Sequence, residues 1–127
     1  MAPRPALPAA FTDRELDAMV ALWRLGASTV AQVRASIADP LAYTTVLTVL
    51  RTLEAKGHVT HKDGDRAHRF RPLVTQPVAA AAALRRVRDT LFDGSSVALA
   101  DQLATLPGTS AGDLKQVRKH FKRRLKG

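Results

Sequence analysis

The chain has 127 residues, 46% of them hydrophobic and 24% charged, with a formal net charge of +9. That length holds one domain, or one small domain with an appendage, around one modest core. The absence of cysteine excludes disulfides, Cys-ligated zinc and thiol nucleophiles, and no apolar run approaches the length of a membrane span.

Aromatic residues make up only 5% of the chain, so the core must be built from Ala, Val and Leu, which points to helices. The positive charge attracts phosphate-rich partners or anionic surfaces. It is unevenly spread: residues 1–74 hold ten Lys/Arg against seven Asp/Glu, and residues 75–127 hold ten against four. The total therefore does not by itself locate a nucleic-acid site.

Residues 1–10 are rich in Pro and Ala and show no signal-peptide pattern. They are expected to form a disordered arm on a cytoplasmic protein. Thr12-Asp13-Arg14-Glu15 has the form of a capping box and predicts a helix start. Leu16, Met19, Val20 and Trp23 then recur on one helical face, and Gly26 stops the helix. Ser28 or Thr29 caps a second helix, whose apolar face is Val30, Val33 and Ile37. It ends before Asp39-Pro40, because proline disfavours helical geometry at the residue before it. From Tyr43 to Lys56, Val46, Val49, Leu50 and Leu53 recur at i, i+3, i+4 and i+7, and Gly57 closes this third helix. Two short helices, a turn and a third helix make a helix-turn-helix arrangement.

His58 to Lys62 reads as a strand, Asp63-Gly64 as a tight hairpin turn, and Arg66 to Arg71 as the return strand. Helix, helix, helix, hairpin is the order of a winged helix. Three further helices are expected over 78–91, 97–106 and from Ser110 onward, the last capped by Ser110 and Asp113. Their apolar stripes are Leu84, Val87 and Leu91; Leu99 and Leu103; and Leu114, Val117, Phe121 and Leu125. Stripes this thin do not hold short helices alone, so these residues, Leu125 apart, are expected to form a dimer interface. The expected fold is mostly α with a small β-hairpin wing. The expected parts are an arm over 1–10, a winged-helix DNA-binding domain over 11–74 and a helical dimerisation domain over 75–127.

Removing the apolar face of the third helix leaves Thr44, Thr45, Thr48, Arg51, Thr52, Ala55 and Lys56 pointing outward, and no acidic residue occurs from Leu41 to Leu53. Threonine is a poor helix former, so stability alone does not favour this stripe. In a major groove its hydroxyls reach phosphates or base edges, and its methyl packs on the thymine methyl. Thr44, Thr45, Thr48, Arg51, Thr52 and Lys56 are therefore the expected DNA-binding residues, with Arg66 from the return strand; Arg69, Arg71 and His68 lie beside it. The blander reading is an ordinary polar helix face.

His58 and His61 lie an odd number of residues apart on a strand and would face opposite sides, with no carboxylates around them at ligand spacing. No metal site, cofactor, small-molecule substrate or catalytic set is expected. The last helix carries seven Lys/Arg between Lys115 and Lys126. They form a solvated face, a nonspecific DNA-attracting face, a surface for an acidic partner or a membrane-facing one.

The run Ala42-Tyr43-Thr44-Thr45-Val46-Leu47-Thr48-Val49-Leu50, followed by Leu53, Lys56 and Gly57, resembles the recognition segment of the penicillinase-repressor family, the BlaI/MecI/CopY group. Glu15-Leu16, Met19 and Leu22-Trp23 in the first helix are similar too, as are Thr29-Val30 and Val33 in the second. Asp65-Arg66-Ala67-His68-Arg69-Phe70 with Pro72 resembles the family's wing strand, and Leu91-Phe92-Asp93-Gly94-Ser95 the start of its dimerisation region.

The resemblance implies a homodimer that binds a dyad DNA operator and blocks transcription. It also implies relief when a membrane-bound metalloprotease sensor triggers cleavage of the repressor in its dimerisation region. Three departures qualify it. Thr52 stands where the family often has Arg, with Arg51 one place earlier. The chain has no asparagine for an Asn-Phe cleavage bond, the matching stretch being near Ala100 to Leu103. It also has no cysteine-rich tail for copper sensing. The alternative function is nonspecific architectural DNA binding through the basic last helix.

Overall fold

The computed structural model describes residues 11–63 and 68–127. The Asp63-Gly64 turn and Arg66 thus fall partly or wholly outside the described residues. The chain divides into two compact units, Met1–Arg85 and Arg86–Gly127, with the division inside a helix.

The first unit starts with α1 (Asp13–Leu25). The capping box forms as the sequence predicts: Thr12 Oγ1 accepts from the Glu15 N–H at 3.1 Å, and the Thr12 N–H donates to Glu15 Oε1 at 2.8 Å. The buried face of α1 is turned from the expected one. Glu15, Ala18, Met19, Ala21 and Leu22 are buried, while Leu16 and Val20 stay exposed and Trp23 is half-buried. Glu15 lies on that buried face, held by a partner that hydropathy does not reveal.

Gly26 ends α1 at φ +81°, ψ −158°, a backbone region that only glycine occupies without strain. This kink lets Ser28 pair with Phe70 through two backbone hydrogen bonds of 2.8 and 2.9 Å. Thr29, not Ser28, then caps α2 (Val30–Ser36), with Gln32 completing the box. Arg34 Nε donates to the Leu41 carbonyl at 2.7 Å and pins the turn into α3 (Tyr43–Ala55). Val46, Leu50 and Leu53 of α3 are fully buried; Leu47 and Val49 are partly so.

Gly57, at φ +84°, closes α3. The His58 N–H reaches the Leu53 carbonyl and the Gly57 N–H that of Glu54, each at 3.0 Å. This two-bond closure satisfies the last carbonyls and turns the chain straight into the hairpin. Strands β1 (Val59–Asp63) and β2 (His68–Pro72) pair antiparallel, with Val59 opposite Pro72, His61 opposite Phe70 and Asp63 opposite His68. Val59 and Phe70 join Met19, Leu22, Val30, Val33, Val46, Leu50 and Leu53 in one core. The Trp23 indole N–H donates to the Val74 carbonyl at 2.8 Å and ties down the connector to α4 (Gln76–Leu91). Of α4 only Ala79 is buried. Its first turns and α1 flank a shallow groove of about 360 Å³ lined by Phe11, Leu16, Val20, Trp23, Gln76, Ala79, Ala80 and Ala83.

In the second unit, Asp93 and Gly94, both with positive φ, follow the end of α4 at Leu91, and Ser95 caps α5 (Ser96–Ala104). The Ser110–Asp113 capping box opens α6 (Ala111–Lys126), as the sequence predicts. No residue of α5 or α6 is buried. No helix among the described residues is long and apolar enough to cross a membrane.

Candidate nucleic-acid interface

Burying Val46, Leu50 and Leu53 fixes the rotation of α3 about its axis. Thr44, Thr48, Arg51 and Ala55 follow at i, i+4, i+7 and i+11 and form one exposed stripe, with Thr45 and Thr52 beside it. Arg51 therefore shares the threonine face. Among the described residues its guanidinium has no hydrogen-bond or ion-pair partner, so its donors are available. Thr48 Oγ1 donates to the Thr44 carbonyl and Thr52 Oγ1 to the Thr48 carbonyl, both at 2.9 Å. With these protons used inside the helix, the two side chains present a methyl and an acceptor lone pair outward.

The amino end of α3 was not singled out from sequence. Its N-cap, Ala42, makes no side-chain capping bond, and the first turn holds no acidic residue. The first-turn N–H groups and the positive end of the helix dipole are thus left for an external anion.

Lys56 behaves differently from the rest of the set. Its ammonium lies 2.8 and 3.1 Å from the two oxygens of Glu15, whose side chain is 4% exposed. Burial alone would push the Glu15 carboxyl up. The Lys56 hydrogen bond, the Thr12 backbone N–H and the Lys56 charge together hold it below its ordinary value. His58 sits next to this pair, buried, with its ring edge-to-face on Phe11 at 4.8 Å. Its Nε2 has no hydrogen-bond partner among the described residues. Burial lowers the His58 pKa; the Glu15 charge opposes this and the Lys56 charge adds to it.

The register of the hairpin sorts its side chains by face. Val59, His61 and Asp63 share one face with Phe70 and His68; Lys62, Arg69 and Arg71 lie on the other. The second face is basic and exposed. Arg69 Nη1 also reaches Gln32 Oε1 of α2 at 3.5 Å. Arg66 lies outside the described residues. The expectation that no carboxylate approaches the histidines is corrected. Glu54 Oε2 lies 2.6 Å from His61 Nδ1, and Asp63 Oδ1 lies 2.6 Å from His68 Nδ1. Strand register and the last turn of α3 create these contacts, and neither is visible in residue spacing.

The expected dimerisation residues are largely uncovered. Leu84, Val87, Leu91, Leu103, Leu114 and Phe121 are exposed, and Leu99 and Val117 are half-buried.

Residues 11–123 match the protein family described as penicillinase repressor. No curated protein matches the chain. Among solved structures, a MarR family protein from Bacillus stearothermophilus superposes with a TM-score of 0.55 at 18% identity, over 93% of this chain and 77% of that one. A transcriptional regulator from Thermotoga maritima gives a TM-score of 0.49 at 17% identity, over 89% and 77%. The first of these likenesses is one of fold, and it agrees with the helix, helix, helix, hairpin order built above.

Proposed function

The chain belongs to the penicillinase repressor family, and we propose that it is a dimeric, sequence-specific repressor that reads a dyad DNA operator through α3. The observation that carries this reading is the exposed, acid-free stripe of Thr44, Thr48 and Arg51 opposite the buried Val46, Leu50 and Leu53. In a major groove, a methyl next to an acceptor suits thymine followed by a base with an exocyclic amine. Thr45 and Thr52 flank that contact. Arg51, Arg66 and the amino end of α3 anchor phosphates, which sets register without reading sequence. The Lys56 ammonium already neutralises Glu15, so its pull on a phosphate is weaker than that of Arg51.

Leu84, Val87, Leu91, Leu99, Leu103, Leu114, Val117 and Phe121 supply the dimer interface. Support comes from the exposure of Leu84, Val87, Leu91, Leu103, Leu114 and Phe121 in a single chain, with Leu99 and Val117 half-buried beside them, since apolar stripes left open on consecutive helices call for a partner. Two-fold pairing would set two copies of α3 on successive major grooves. Relief by a membrane metalloprotease sensor would act on α5, which covers the stretch from Ala100 to Leu103. A protease binds extended backbone, so α5 must unwind before it is cut.

The test is competition binding with genomic fragments at fixed salt. Thr48→Ala is expected to weaken binding to the selected operator by roughly ten- to a hundredfold, with nonspecific affinity little changed. Equal loss on operator and random DNA would refute base reading by this helix. A second reading is favoured by one feature: every Lys and Arg of α6 is exposed, and Asp113 is its only acidic residue. If α6 drives nonspecific binding, deleting residues 115–127 abolishes all DNA binding. Under the operator reading the deletion alters dimerisation and salt dependence while a preference for the operator persists.

A further inference from the structure

We propose that the end of the hairpin next to its turn is a binding site for a divalent first-row transition-metal ion, held by His61 and Asp63 of β1 and His68 of β2. The site follows from the register. Asp63 pairs directly with His68, and His61 lies two residues back on the same face, so three ligand-type side chains converge from two strands. One ligand atom from each lies within 4.8 Å of the other two.

The local hydrogen bonding prepares the nitrogen that would face the metal. Glu54 Oε2 lies 2.6 Å from His61 Nδ1 and also accepts the His61 backbone N–H at 2.9 Å. A carboxylate only accepts, so the proton of the neutral imidazole sits on Nδ1 and the lone pair on Nε2. Nε2 lies 3.6 Å from Asp63 Oδ1, too far for a hydrogen bond. Two electron-rich atoms at that separation leave the gap spanned by a metal with bonds of about 2.0–2.2 Å to each. His68 Nδ1, 2.6 Å from the same Asp63 oxygen, would release the proton shared with that oxygen to solvent as the metal takes its place, and move back by less than about 1 Å.

The Glu54–His61 contact is the outer-carboxylate arrangement that orients metal-bound histidines and raises their basicity. Two imidazoles with one carboxylate select zinc, nickel, cobalt or copper over magnesium or calcium. All three ligands are exposed, which leaves positions for water and a route in from solvent.

The absence of cysteine makes the test clean, because no thiolate can supply adventitious high affinity. Untagged full-length protein is titrated with zinc chloride by calorimetry, without DNA, so the outcome is separate from that of the operator reading. The expected result is one zinc per chain, with Asp63→Asn and His68→Ala each weakening it at least about tenfold. Glu54→Gln, which touches no metal, weakens it about tenfold by releasing the His61 ring. His120→Ala, on α6, leaves it unchanged. The zinc-induced rise in melting temperature should vanish in Asp63→Asn and His68→Ala, whose circular dichroism without metal matches the wild type. Absence of a one-to-one step in the wild type would overturn the proposal. So would undiminished binding in His68→Ala, or a loss in His120→Ala equal to that in His68→Ala.

Discussion

Residues up to Arg85 and residues from Arg86 onward contain amphipathic helices of similar quality, yet they use them in opposite ways. In the first unit α1, α2, α3 and the hairpin enclose Met19, Leu22, Val33, Val46 and Leu50 completely. In the second, Leu91, Val97, Leu106, Phe121 and Leu125 are half or more exposed, and α5 and α6 bury nothing. The contrast separates two properties that an apolar stripe mixes. Periodicity says which face of a helix is apolar. Whether that face is covered depends on what the chain folds against it, and the second unit offers no layer to cover its own.

Truncating one leucine in each unit breaks the comparison most directly. Leu50→Ala removes a side chain with no exposure and is expected to destabilise the protein by about 2–5 kcal/mol in urea unfolding. Leu103→Ala, at a residue 44% exposed, should cost about 0.5 kcal/mol or less in dilute monomer. Its effect should appear instead as weaker self-association in sedimentation equilibrium. A large loss of monomer stability in Leu103→Ala would mean that the second unit has a core of its own.

The next effect sharpens the role of Lys56. As a partner of buried Glu15 it is part of the first unit's frame, whatever it does toward DNA. Lys56→Met keeps the aliphatic stem but leaves the carboxylate without its cation. The expected cost is about 1–3 kcal/mol, read by urea unfolding. Double replacement with Glu15→Gln should recover part of it, because the uncompensated charge is then gone.

Much of the fold was legible in the sequence where a local rule decides the outcome. The Thr12–Glu15 and Ser110–Asp113 boxes, the stop at Gly57 and the inward set Val46, Val49, Leu50 and Leu53, of which Val49 is only partly buried, all follow from residues within one or two turns of each other. The reading failed where partners are distant in sequence. Glu15 is paired on the buried face of α1 by Lys56, 41 residues away, while Leu16, Val20 and the half-buried Trp23 line a groove. Of the two candidate caps of α2, Thr29 is the cap and Ser28 is a bridge to Phe70. The cluster of His61, Asp63 and His68 needs the pairing of β1 with β2, which residue spacing along either strand does not contain. On α3 the outward residues were legible because the inward ones were. The internal bonds of Thr48 and Thr52, which decide what those side chains offer a groove, were not.

The smallest effect concerns pH, and it too should divide the two units. His58 has a lowered pKa in the folded chain, so the unfolded chain takes up its proton first. Its contribution to stability is full above the ordinary histidine pKa and declines as pH falls from there toward the lowered folded value. Glu15, also lowered, contributes above the ordinary glutamate value, and that contribution is lost as pH falls through its own folded value. The first unit should therefore lose stability in two steps on acidification, the earlier from His58 and the later from Glu15. In the second unit the Ser110 backbone and side-chain hydrogen bonds lower Asp113, but this exposed group acts only at the acid end and is screened by solvent. His58→Leu should remove the earlier step from a plot of melting temperature against pH and leave the later one. Persistence of the earlier step in His58→Leu would place that proton on another group.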